Sequence, residues 1–193
     1  MTARRALALF SVLCILATVA LGLIVAPNPP GALDGWAAAT AVRVSAGVLH
    51  ALVLPTEPYL LIPAIALIAG VCFYRHRRRD AALAVTGPVV AVAMNTWALK
   101  PAFGRLKDGA LAYPSGHTVS LVAVLVVVVL LVRMKTVAVV VSVVLAGCGA
   151  VGMIGLGYHF LTDIAGGVCF AAGVVTALRV VLSPRRELEP SSG

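Results

Sequence analysis

Residues 113–132 read "YPSGHTVSLVAVLVVVVLLV". The first eight hold a proline, a glycine, an imidazole and several hydroxyls, and the next twelve have no polar side-chain atom. The apolar run shows none of the period-2 alternation of a half-buried strand. The rest of the 193-residue chain is similar: 61% hydrophobic, 11% charged, mean hydropathy +1.06. Soluble domains carry about 45–50% apolar and about 25% charged residues. The chain is therefore expected in a bilayer, where only helices or closed barrels satisfy the backbone and a helix needs about 20 residues to cross. The reading is an all-α integral membrane protein of one domain, 1–193.

Six spans are expected at about 6–25, 59–74, 81–99, 117–132, 137–157 and 164–182. The first runs into "APNPPG" without a clear small-x-small cleavage site and reads as an uncleaved span. The second contains Pro63, which can kink it. The third carries Pro88, Asn95 and Trp97 and should partly face other helices. The proline-bracketed segment 27–58 has Val42, Val44, Val48, Leu49 and Leu52 at spacings that predict an interfacial amphipathic helix. Arg43 and His50 argue against a seventh span there. Cys14, Cys72, Cys148 and Cys169 all fall in spans without metal-like spacing and read as small apolar residues. Residues 183–193 read as a disordered tail.

Six spans put both termini on one side. Arg4, Arg5, Arg75, Arg77, Arg78, Arg79, Arg133, Lys135, Arg179, Arg185 and Arg186 then share that side, eleven of fifteen basic residues, which makes it cytoplasmic. The net charge of +8 is mainly this topology signal, and no nucleic-acid partner is expected. The Ala, Val and Arg-rich composition is associated with GC-rich bacteria, so a bacterial plasma (inner) membrane is the expected location. Arg43, Lys100, Arg105 and Lys107 remain outside.

Two outer loops carry the chemistry. In "KPAFGRLKDGALAYPSGH", residues 100–117, Lys100, Arg105 and Lys107 lie within eight residues, a density that calls for an anion such as phosphate. Pro114-Ser115-Gly116-His117 then starts a helix whose unpaired N–H groups favour an anion. Ser115 can cap the helix or bond the anion, and Gly116 lets backbone approach closely. The plainer alternative is snorkelling lysines beside a Pro-Ser cap. In "GYHFLTDIAGG", His159 and Asp163 are four apart, a spacing that puts both on one helical face. A carboxylate on one imidazole nitrogen leaves the other exposed as base or nucleophile, and the plainer alternative is a structural His–Asp pair at a helix end.

The three blocks in this order, on the outer ends of a six-helix bundle, resemble the type 2 phosphatidic acid phosphatase (PAP2) superfamily over about residues 80–185. Its pattern is approximately Lys-x6-Arg-Pro, Pro-Ser-Gly-His, then Ser-Arg-x5-His-x3-Asp. The resemblance implies a phosphatase without metal or cofactor, acting on a lipid phosphate or diphosphate, such as a polyprenyl diphosphate, at the outer leaflet. It implies that His159 attacks phosphorus, Asp163 orients it and His117 serves the leaving group and then water. Lys100, Ser115 and the Gly116 N–H would hold the phosphoryl oxygens, with Arg105 and Lys107 as further cations. Two departures stand out. Lys107-Asp108 replaces Arg-Pro, and Gly152-Met153 replaces Ser-Arg. A lost charge-assisted contact of about 1.5–3 kcal/mol would slow turnover by one to two orders of magnitude, unless Arg105 or Arg43 compensates. The alternatives are a weak or inactive lipid-phosphate binder and, less compatible with the cations, a haem or metal site on His117 and His159.

Overall fold

Each apolar run becomes a helix in the computed structural model, which describes residues 3–183; the expected disordered tail from 184 onward lies outside them. The long helices are α1 (Ala3–Val25), α4 (Pro58–Tyr74), α5 (Arg78–Met94), α7 (Gly116–Leu131), α8 (Lys135–Gly155) and α9 (Leu161–Leu182). Short helices α2 (Ala32–Ala41) and α3 (Ala46–Val53) follow α1, and α6 (Lys100–Phe103) follows α5. Strands β1 (Leu106–Lys107) and β2 (Ala110–Leu111) form one small hairpin. Five helical stretches are long and apolar enough to cross a membrane, counting Ala46–Tyr74 and Arg78–Phe103 as continuous, and α7 is a shorter apolar sixth. This is the expected all-α six-span membrane bundle.

The centre of the bundle is α9, packed against α1, α5 and α7. Leu83 and Ala91 of α5, Val119 and Ala123 of α7, and Phe170 and Val175 of α9 form its buried core. Apolar side chains also cover the outside, among them Leu13 and Leu16 of α1 and Val143 and Val144 of α8. Such a surface is stable only against lipid. Pro88 and Asn95 are buried as expected, whereas Trp97 is 79% exposed at the bundle's edge.

Segment 27–58 departs from the single amphipathic helix read in the sequence. It breaks at residues 42–45 into α2 and α3, both packed on α8, and Val42 and Val48 are exposed. The buried face is Ala37, Ala41, Leu49 and Val53. Glycines on α8 decide this. A Cβ at Gly152 would lie 2.8 Å from Val53 N and 2.9 Å from Leu49 O, and one at Gly155 would lie 2.4 Å from Leu49 Cδ2. The close approach that these glycines allow seats α3 through Leu49 and Val53 and leaves Val42 and Val48 outside.

The far end of the bundle, at the start of α5 and the end of α9, holds a smaller polar device. Asp80 accepts from Arg77 Nε at 2.6 Å and from Arg179 NH1 at 2.5 Å.

Candidate active site

The site lies at the opposite end, where α5 finishes and α7 and α9 begin. Pro101 has no N–H to give an α-helical turn, and residues 95–99 open into a π-helical turn before α6. That wider turn places Lys100 over the start of α7. The hairpin follows, turned by Asp108 (φ 50°) and Gly109 (φ 79°). Positive φ at both central residues suits Asp-Gly and matches strand twist. Tyr113, joined to Pro114 by a cis peptide, is fully buried; its hydroxyl donates to Thr18 O at 2.5 Å, and its ring meets Phe103 edge-on. Burial pushes this phenol up from its ordinary pKa, so it stays a neutral donor. Ser115 N-caps α7, accepting from Thr118 N at 3.3 Å.

A cavity of about 520 Å³ opens here, with Lys100, Lys107, Gly116, His117, Tyr158 and His159 in its wall. The imidazoles of His117 and His159 meet edge to face with centroids 5.9 Å apart and 65° between their planes, and Tyr158 stacks on His117 at 6.1 Å. A Cβ at Gly116 would lie 3.9 Å from Lys100 Nζ, so the glycine leaves the ammonium open to the helix start. Lys100 Nζ donates to Leu111 O at 2.7 Å. Lys107 Nζ contacts Gly157 O and pairs with Asp108 at 3.0 Å. An apolar cavity of about 530 Å³ between α4 and α5, lined by residues including Leu61, Ile65, Val89 and Trp97, meets the first at Pro58, Val92 and Ser120. Among the described residues, no three His, Cys, Asp or Glu side chains converge as a metal site would need.

Asp163 is fully buried and its carboxylate is held from two sides, with His159 facing a third. Oδ1 accepts from Arg105 NH1 at 2.6 Å, Oδ2 accepts from Phe160 N at 2.9 Å, and His159 Nδ1 lies 3.8 Å from Oδ2. That last distance is too long for a hydrogen bond, and Nδ1 is buried without another partner. The pair does not share a helical face as its spacing predicts. Helix α9 begins only at Leu161, so His159 sits in the preceding loop, and Asp163 N-terminally caps the helix through Phe160 N.

Residues 92–187 match the sequence profile of the PAP2 superfamily. The chain belongs to the PAP2 superfamily. No curated protein sequence matches it. Among solved structures it is similar to the crystal structure of a transmembrane PAP2-type phosphatidylglycerolphosphate phosphatase from Bacillus subtilis. The TM-score is 0.73 at 22% identity, over 88% of this chain and 94% of that one. At that identity the likeness is one of fold.

The PAP2 blocks meet in space, but two residues expected to grip phosphate are turned elsewhere. Arg105 is 4% exposed and is bound by Asp163, Thr162 and Asp34, because a buried guanidinium takes the nearest carboxylates. Ser115 is fully buried, its Oγ held by Thr118 N and lying 3.8 Å from Met153 Sδ, so the capping alternative holds for its side chain. Met153 takes the arginine's place in the PAP2 pattern and is packed with Val53 and Ile164. Arg43 is exposed just beyond α2. Sequence reading missed Asp34, Thr162, Ser120 and Tyr158. Asp34 had a signal, being the one acid between residues 27 and 56, and an ionisable residue in an apolar setting is usually functional.

Proposed function

We propose that the chain is a membrane phosphatase that hydrolyses a lipid phosphate or diphosphate through a phosphohistidine. The observation that carries this is the edge-to-face pair His117 and His159 in a cationic cavity that shares part of its wall with an apolar groove. The cavity suits a phosphorylated head group and the groove suits its tail. His159 Nε2 attacks phosphorus as the P–O bond to the leaving group breaks, and His117 protonates the departing oxygen. His117 then takes a proton from water, which attacks the phosphohistidine and releases phosphate. Lys100 and the N–H groups at the start of α7 stabilise the phosphoryl oxygens as charge develops. Asp163 receives the Nδ1 proton side of His159, a closure of under about 1 Å to hydrogen-bonding range. The charge asymmetry of the sequence supports a site on the extracytoplasmic face, at the outer leaflet. Polyprenyl diphosphate, phosphorylated polyprenyl-sugar and phosphatidylglycerol phosphate all have the required form.

The test is phosphate release by purified protein in detergent across those lipids and phosphatidic acid, with His159→Ala as control. Release that vanishes in the variant supports the proposal, whereas activity lost to EDTA and restored by a divalent metal overturns the phosphohistidine scheme. A second reading, a lipid-phosphate binder without turnover, is favoured by Met153, which offers no donor where the PAP2 pattern has arginine. Silence across the panel with folded protein that still binds lipid phosphate would establish it.

A further inference from the structure

The sequence puts Arg105 in the cationic loop, yet its guanidinium points away from the substrate cavity. NH1 bonds Asp163 Oδ1 at 2.6 Å and Thr162 Oγ1 at 2.7 Å, while NH2 reaches Asp34 Oδ2 at 3.2 Å. The Phe160 ring covers it at 4.7 Å. Asp34 comes from α2, 71 residues upstream, and accepts further bonds from Thr162 N and Thr162 Oγ1, both at 2.9 Å. Arg105, Asp34 and Asp163 are 4%, 3% and 0% exposed. One rigid, planar fork thus bridges two buried carboxylates, an arrangement lysine could not reproduce.

The consequence reaches the reacting imidazole. Asp163 has two oxygens, and Arg105 holds the one remote from His159. With Oδ1 pinned, the carboxylate plane is set and Oδ2 faces His159 Nδ1. Without Arg105, only Phe160 N would restrain that plane. Without Asp34, the second arm of the fork would lose its carboxylate, and the start of α9 would lose its tie to α2. We infer that Asp34 and Arg105 are positioning residues that act through Asp163 on His159, so that α2 belongs to the reaction machinery. This rests on the phosphatase reading above.

The experiment uses the full chain in detergent, comparing Arg105→Gln, Arg105→Lys, Asp34→Asn and the double variant Arg105→Gln/Asp34→Asn. It measures kcat, KM and inhibition by inorganic phosphate. Misplacing a reacting group by about 1 Å can cost about a hundredfold. Arg105→Gln is therefore expected to lower kcat about 10–100-fold and Asp34→Asn about tenfold, with KM and the phosphate inhibition constant held within about twofold. Arg105→Lys should recover part of the loss, and Asp34→Asn should add little once Arg105 is gone. A raised KM and weaker phosphate inhibition with kcat intact would make Arg105 a phosphate ligand and overturn the inference, as would fully additive losses. A second readout does not need turnover. In protein carrying [15N]histidine, the His159 ring-nitrogen signals should move in Asp34→Asn although Asp34 does not touch His159. If those signals stay fixed in a folded variant, the relay is absent. If they move while wild-type protein releases no phosphate, the relay stands and the phosphatase reading fails.

Discussion

The two ends of this bundle carry mirror-image ion clusters. At the site end one arginine, Arg105, bridges two carboxylates, and all three groups are buried. At the far end one carboxylate, Asp80, bridges two arginines, with the Arg77 and Arg179 side chains 44% and 19% exposed. The residue types are the same, but the physics differs. Water reaches the arginines of the far cluster and weakens it, although Asp80 itself is buried. At the site end, desolvation makes each partner expensive to remove and each orientation hard to change. A buried, over-determined cluster can aim a carboxylate, whereas a half-exposed one chiefly ties two helix ends together.

The largest expected effect tests where the chemistry sits. His159→Ala should lower phosphate release by at least about a thousandfold, whereas Arg179→Gln should stay within about twofold of wild type; equal losses in the two variants would break the comparison. Next comes stability. Arg105→Leu leaves two buried carboxylates without their cation and should cost about 3–5 kcal/mol. Asp80→Asn should cost less, about 1 kcal/mol, because Asp80 is buried but both its arginine partners reach water. Denaturant unfolding in detergent measures both, and similar values would remove the distinction between the two ends. Third, Lys100 lines the cavity as Arg105 does not, so Lys100→Gln should raise KM about tenfold or more, in line with about 1.5–3 kcal/mol for a charged hydrogen bond. Competition by inorganic phosphate reads the same loss directly. The smallest effect concerns the groove. Leu61→Trp should slow long-tailed substrates about tenfold by overpacking, and a short, water-soluble phosphoester assayed beside them should be spared.

Much of this was legible in the residues. The six spans follow from local apolar runs, because each helix satisfies its own backbone and lipid accepts any apolar outer face. The helix start at Pro114-Ser115-Gly116 was equally local, since a Ser N-cap needs only the next turn. The hairpin was missed although Asp108-Gly109 announces it; its strands are too short to show a period. The directions of Arg105 and Ser115 were out of reach. Arg105 is set by Asp34, 71 positions away, and the fate of the Ser115 hydroxyl depends on Met153, 38 positions away. Segment 27–58 misled because its valines form a plausible stripe, whereas α8 offers a glycine seam against which Leu49 and the backbone at Val53 close.

By itself, the sequence determined that the chain crosses a bilayer as helices, which end carries His117 and His159, and which superfamily pattern they follow. Those properties depend on transfer free energies and short-range capping, which are written in consecutive residues. Only the tertiary structure decided which cation faces the cavity and which is buried against Asp163. That choice is a competition among charges brought together from α2, the hairpin loop and α9, and burial decides it.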